Sequence, residues 1–129
     1  MLLVDTDVVV DVLRGYPPAV AWLTSLENEE IGFPGLVAME LIYGCRNSQE
    51  QRRLVEFLGA YDLLWPSSET CLRSLELLAE VHLRNNIGIL DCLIGQMALD
   101  LGQPLCTFNR KHYSHVPGLE LVEPYQKAP

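Results

Sequence analysis

Short apolar runs recur along this chain and alternate with longer stretches in which apolar residues return every three or four positions. The runs lie at residues 2–4, 31–33, 62–65, 105–107 and 120–122, and each predicts a strand. The first, Leu2-Leu3-Val4, contains no polar residue, the pattern of a parallel strand covered on both faces. Residues 7–14 keep a helical period and stop at Gly15. A second helix follows Pro17-Pro18, because proline suits a first helical turn, and it points Val20, Leu23 and Leu26 inward. Residues 36–44 form the next helical stretch. Ser48-Gln49-Glu50-Gln51 fits a capping box that opens a helix around residues 54–58. Ser67 or Ser68 caps another, with Leu72, Leu75, Leu78 and Ala79 as its buried stripe. From Asp91, the set Ile94, Met97, Ala98 and Leu101 keeps helical spacing up to Gly102.

Strands that alternate with helices predict an α/β domain with a mostly parallel sheet and right-handed crossovers. Pairs of consecutive helices between the second and third strands, and between the third and fourth, make the winding irregular and leave the strand order open. With 129 residues and no repeat or linker, residues 1–129 are expected to form one domain. A hydrophobic content of 49% against 20% charged residues is that of a soluble globular protein. No apolar run approaches the roughly 20 residues that span a bilayer. A basic leader with a cleavage site is absent, so the cytoplasm is the expected compartment. The four cysteines are scattered without metal or redox spacing. Cys71, Cys92 and Cys106 sit among apolar neighbours, as reduced core thiols do. His112 and His115 are spaced so that they could ligate a metal, or serve as surface polar residues of a loop.

A net charge of −8 with only nine basic residues argues against phosphate recognition by lysine and arginine alone. It does not exclude a nuclease whose cations supply the positive charge. Candidates for such a site are Asp5, Glu40 and Asp91, each of which interrupts an apolar segment. A carboxylate in that setting is costly unless paired, hydrogen-bonded or metal-bound. Asp5 and Asp91 are each suited to capping a helix, as is Asp7. Glu40 lies among Val37, Leu41 and Gly44 on a helix, where capping offers no explanation. Jointly the three acids predict a divalent-metal site at the carboxyl edge of the sheet.

Four segments carry a family resemblance. Residues 3–15 (LVDTDVVVDVLRG) are similar to the first motif of PIN-domain ribonucleases, especially VapC-type toxins. Residues 38–44 (AMELIYG) resemble the second, 88–95 (GILDCLIG) the third and 105–113 (LCTFNRKHY) the fourth, in family order across nearly the whole chain. The resemblance implies an α/β/α sandwich in which Asp5, Glu40 and Asp91 bind Mg²⁺ or Mn²⁺ and RNA phosphodiesters are cleaved. It also implies a homodimer and a small VapB-like antitoxin as partner. Where many PIN domains carry a fourth acid, this chain has Asn109, with His112 three residues on. Glu40 is placed either to bind metal or to orient the attacking water. Thr6 and Thr107 are possible neighbours of the phosphate or carboxylates, and Arg14, Arg46, Arg110 and Lys111 are candidate RNA contacts. Trp22, Leu26, Leu54, Phe57, Leu58, Tyr61 and Trp65 offer apolar surface for partners or pack beneath the sheet.

Two other readings compete. Residues 3–9 also fit the strand-then-DxD start of haloacid-dehalogenase-like phosphatases. Those enzymes need a later lysine and an acidic pair, whereas the lysines here are Lys111 and Lys127, and Glu40 would go unexplained. The fold could instead serve as a binding module without catalysis, its acidic groove filled by a basic partner segment. Stabilisation by Mn²⁺ that depends on Asp5 separates a metal site from that alternative.

Overall fold

Five strands pair in parallel in the order β3-β2-β1-β4-β5: Leu2–Val4 (β1), Ile31–Pro34 (β2), Leu63–Leu64 (β3), Leu105–Cys106 (β4) and Leu121–Val122 (β5). The computed structural model describes residues 1–127. Every strand coincides with a segment predicted from the sequence, although β2 runs one residue further to Pro34 and β3, β4 and β5 are each trimmed to two residues. Helices Thr6–Leu13 (α1) and Pro17–Thr24 (α2) connect β1 to β2, and Gly35–Tyr43 (α3) and Ser48–Leu58 (α4) connect β2 to β3. Ser68–Val81 (α5) and Ile89–Leu101 (α6) lead back to β4, and Arg110–Tyr113 (α7) precedes β5. Seven helices therefore flank the parallel sheet among the described residues.

The order left open by the sequence is decisive for the site. From central β1 the chain winds outward to β2 and β3, then returns on the other side of β1 as β4. That reversal makes the carboxyl ends of β1 and β4 a topological switch point, where open α/β sheets bind ligands. Beneath it lies a core of Leu3, Phe33, Val37, Ile94 and Leu105, all essentially inaccessible to solvent.

Some expectations about individual side chains fail. On α5 the buried stripe is Thr70, Ser74, Leu77 and Val81, while Leu72 and Leu75 are 57% and 62% exposed. The spacing is helical, but the face turned toward α6 has two small hydroxyl residues in its first half. Both are satisfied: Thr70 Oγ1 donates to Asp100 Oδ2 at 2.6 Å, and Ser74 Oγ to the Thr70 carbonyl at 2.8 Å. Cys71, beside that stripe, is exposed rather than a core thiol, whereas Cys92 and Cys106 are buried. Val20 and Leu101 also face solvent. The cap of α4 is Asn47, whose side chain accepts from Glu50 N at 2.8 Å, one residue ahead of the predicted Ser48. Ser67 caps α5 as expected. Of the residues proposed as partner surface, Leu54 and Leu58 belong to the core, and Trp22, Leu26, Phe57 and Tyr61 pack against it. Trp65 alone among them is well exposed, lying over Gly35, where an added Cβ would come within 2.5 Å of the indole.

Candidate active site

Asp5 follows the last residue of β1 and is the N-cap of α1, its Oδ1 accepting from Thr6 N at 2.9 Å. The chain crosses from β1 to α1 at the switch point, so a helix-capping carboxylate is carried to the ligand edge of the sheet. It is only 5% exposed. Thr107, which follows β4, donates its hydroxyl to Asp5 Oδ2 at 2.7 Å. Tyr113, the last residue of α7 and fully buried, reaches Asp5 Oδ1 at 3.2 Å and Asp91 Oδ1 at 3.3 Å with its phenol. One phenolic proton thus lies between two carboxylates. Burial and those two neighbours push its pKa well above the ordinary tyrosine value, which keeps it a donor.

Asp91 occupies the first turn of α6, whose N-cap is Gly88; it is not the cap residue itself. A carboxylate there is favoured by the helix N-terminus. His112 Nδ1 lies 3.0 Å from Asp91 Oδ2 and 3.1 Å from the Asn109 side-chain amide. The Asn109 atom facing His112 is the amide Nδ2, so Nδ1 either donates to the Asp91 carboxylate or accepts from Asn109, according to the tautomer of the ring. Asn109 is joined to the rest of the site through Thr107, whose Oγ1 accepts from Asn109 N at 3.0 Å.

Glu40 sits on the exposed side of α3 and does not face the core. Its Oε1 accepts a short hydrogen bond from Thr6 Oγ1, which ties α3 to the first residue of α1. The structure therefore brings Asp5, Glu40, Asp91 and Asn109 to the wall of one open cleft of about 530 Å³. Asp7 and Asp11 line it too, against Arg14 and Lys127. Among the described residues no three His, Cys, Asp or Glu side chains converge closely enough to chelate an ion as they stand. Asp5 and Asp91 are drawn to Tyr113, while Glu40 is turned to Thr6.

Electrostatics follow from this crowding. Burial raises the Asp5 pKa from 3.8 to about 6; the Thr107 hydrogen bond opposes the rise and the Asp7 charge adds to it. Burial also raises Asp7, which accepts from Val8 N at 2.8 Å and from Phe108 N at 2.9 Å and so fastens α1 to the segment after β4.

A sequence profile of the PIN domain matches residues 2–119. The chain belongs to the PIN-domain family. Ribonuclease VapC19 of Mycobacterium tuberculosis is 36% identical to this PIN domain over 125 residues, which is 93% of this chain and 98% of that protein. FitAcB from Neisseria gonorrhoeae superposes with a TM-score of 0.77 at 22% identity, over 96% of this chain and 98% of that one. A toxin–antitoxin complex from Klebsiella pneumoniae gives the same TM-score, 0.77, at 23% identity over 98% and 100% of the two chains. These findings overturn the phosphatase alternative. The second acid of Asp5-Thr6-Asp7 is spent on backbone amides in this PIN domain.

Several participants escaped sequence reasoning. Tyr113 ends the fourth motif without a role assigned to it, and only the fold shows it reaching two acids that each lie more than 20 residues away in sequence. Asp11 accepts from Tyr125 OH at 2.7 Å and pairs with Lys127 Nζ at 3.0 Å, bringing a lysine from the far end of the chain to the cleft. The Asp5-Thr6-Asp7-Val8-Val9-Val10-Asp11 spacing carried a signal, since positions 7 and 11 are one helical turn apart on the face that bears Asp7. Of the proposed RNA contacts, Arg14 lines the cleft. Arg46 instead pairs with Glu50 and Arg110 with Glu123, and Lys111 lines a neighbouring hollow.

Proposed function

We propose that this PIN domain is a Mg²⁺- or Mn²⁺-dependent ribonuclease, the toxin of a VapBC-type toxin–antitoxin pair acting in the cytoplasm. The observation that carries this reading is the junction at Tyr113, which draws two carboxylates together at the switch point with Glu40 and Asn109 on the same wall. The donor set fits a hard cation: the oxygens are carboxylate, and Asp5 is buried among like charges that a cation would neutralise. Asp5, Asp91 and, after rotation away from Thr6, Glu40 would hold it. When bound, the ion supplies polarisation of a phosphoryl oxygen and a more acidic water.

The protein's own residues set the geometry. Thr107 and Thr6 N fix the Asp5 carboxylate, and Tyr113 fixes its separation from Asp91. His112 holds the outer oxygen of Asp91, and Asn109 orients His112 rather than adding charge. Glu40, facing the open cleft, is placed to orient a water or accept its proton. Arg14 and Lys127 offer positive charge to the backbone of the bound strand at the cleft rim. Asp5→Asn and Asp91→Asn should abolish divalent-dependent cleavage in an assay across RNA classes while circular dichroism stays unchanged. Full cleavage by the folded variants would overturn the assignment.

Partners follow from the surface. Leu72, Leu75, Leu83 and Ile89, on α5 and the turn into α6, are between 57% and 86% exposed. An apolar face of this kind supports a second copy of the chain as its cover. The acidic cleft and the −8 net charge support an antitoxin that inserts a basic segment.

A further inference from the structure

Beside the acidic cleft lies a hollow of about 320 Å³ with the opposite character. Its walls include His82, Arg84, Asn86, Lys111, His112 and His115. All three histidines of the chain converge there, with two of its nine basic residues. No carboxylate lines it among the described residues, in a chain with 17 acidic side chains.

The cations there are not already spent. Arg46, Arg73, Arg110 and Lys127 each pair with a carboxylate, whereas Lys111 and Arg84 have no ion-pair partner among the described residues. Arg84 uses one Nη2 hydrogen bond at 2.9 Å to cap the Glu80 carbonyl near the end of α5, which fixes its guanidinium beside the hollow. The hollow adjoins the cleft through a shared wall: His112 lines it on one side and holds Asp91 on the other. A strand with its reactive phosphate between Asp5 and Asp91 would have a neighbouring phosphate at this wall.

We infer that the hollow formed by Lys111, Arg84 and the three histidines is a subsite for a backbone phosphate of single-stranded RNA, next to the phosphate that is cleaved. The inference rests on the ribonuclease reading for its choice of ligand. Lys111 supplies a mobile point charge, Arg84 a planar donor set, and the His82 and His115 imidazoles and the Asn86 amide further N–H donors. A cleft rich in carboxylates thus acquires, beyond Arg14 and Lys127 at its rim, a further place where the backbone is held electrostatically.

The test measures binding of a fluorescent single-stranded RNA oligonucleotide to Asp5→Asn protein, with and without Lys111→Ala or Arg84→Ala. Arg52→Ala and Arg53→Ala on the exposed face of α4 serve as controls. Each hollow variant should weaken binding several-fold and lower the slope of log affinity against log salt by about 0.7 per contact, the value for a single strand. In the cleaving protein the same changes should raise KM for the oligonucleotide while kcat holds, and spare a dinucleotide, which lacks the flanking phosphate. Binding that falls equally in the α4 controls would overturn the inference, as would unchanged RNA binding accompanied by lost affinity for an acidic peptide. Asp5-dependent cleavage without any Lys111 or Arg84 effect would overturn this subsite alone. RNA binding that depends on Lys111 in a protein that cleaves nothing would uphold the subsite and remove the ribonuclease reading.

Discussion

Replacing Asp5 by asparagine should make the metal-free protein more stable, not less. The carboxyl is nearly inaccessible, and burial lifts its pKa to about 6 from 3.8. Well below pH 3.8 it is protonated in both folded and unfolded chains and costs nothing. Between pH 3.8 and about 6 the unfolded chain ionises while the folded one holds its proton, so the cost accrues across that window and levels off above it at about 3 kcal/mol. Asparagine removes that charge but presents one acceptor instead of two, so either Thr107 or Tyr113 loses its partner, a loss of about 1 kcal/mol. The net gain at pH 7.5 is then about 1–2 kcal/mol, or roughly 3–10 °C in melting temperature for a chain of this size. Thermal melts in EDTA from pH 4 to pH 8 measure it, and the advantage of the variant should vanish toward pH 4. Adding Mn²⁺ should raise the melting temperature of the wild type and leave the variant unmoved. A variant less stable at pH 7.5, or a difference independent of pH, would refute the account of Asp5 as a strained, cation-seeking carboxylate.

Other expectations follow from the same geometry. Tyr113→Phe keeps the buried ring but deletes the proton between Asp5 and Asp91, and should cost about 1–2 kcal/mol in urea melts at pH 7.5. Asn109→Asp puts a carboxylate against His112 at the cleft wall; calorimetry without RNA should show at most one weak Mn²⁺ site in the wild type and tighter binding in the variant. Leu75→Glu places a charge on the exposed face of α5, and light scattering should report conversion of a dimer to monomers without a change in melting temperature of the isolated chain. Gly35→Ala must displace the Trp65 indole, and should cost about 1–3 kcal/mol with a shift in tryptophan fluorescence.

The strands were legible because unbroken apolar runs have few alternatives in a chain this short. Asp5, Glu40 and Asp91 were legible because each breaks an apolar segment, and all three line the cleft. The sheet order was hidden: nothing local says that β4 returns beside β1, and that pairing alone brings Thr107, Asn109 and Tyr113 to Asp5. The stripe on α5 was misassigned because Thr70 and Ser74 look exposed in a hydropathy pattern, yet their hydroxyls are satisfied by Asp100 and a helical carbonyl. Glu40 stood out because Val37, Leu41 and Gly44 surround it in sequence, yet its helix turns it to the open cleft instead of the core. Lys127 was invisible as a site residue, because its partner Asp11 lies at the other end of the chain.

Central β1 is synthesised about a hundred residues ahead of one of its two neighbours, β4, which begins at Leu105. Until that strand has left the ribosome, Asp5 has no Thr107, and until α7 follows, nothing joins it to Asp91. Pairings across such long sequence separations are also slow to form. A nascent chain therefore carries no assembled cleft until residues 105–113 have left the ribosome. Fragments that end before residue 105 would carry both Asp5 and Glu40 without the hydrogen bonds from Thr107 and Tyr113 that fix Asp5 at the cleft.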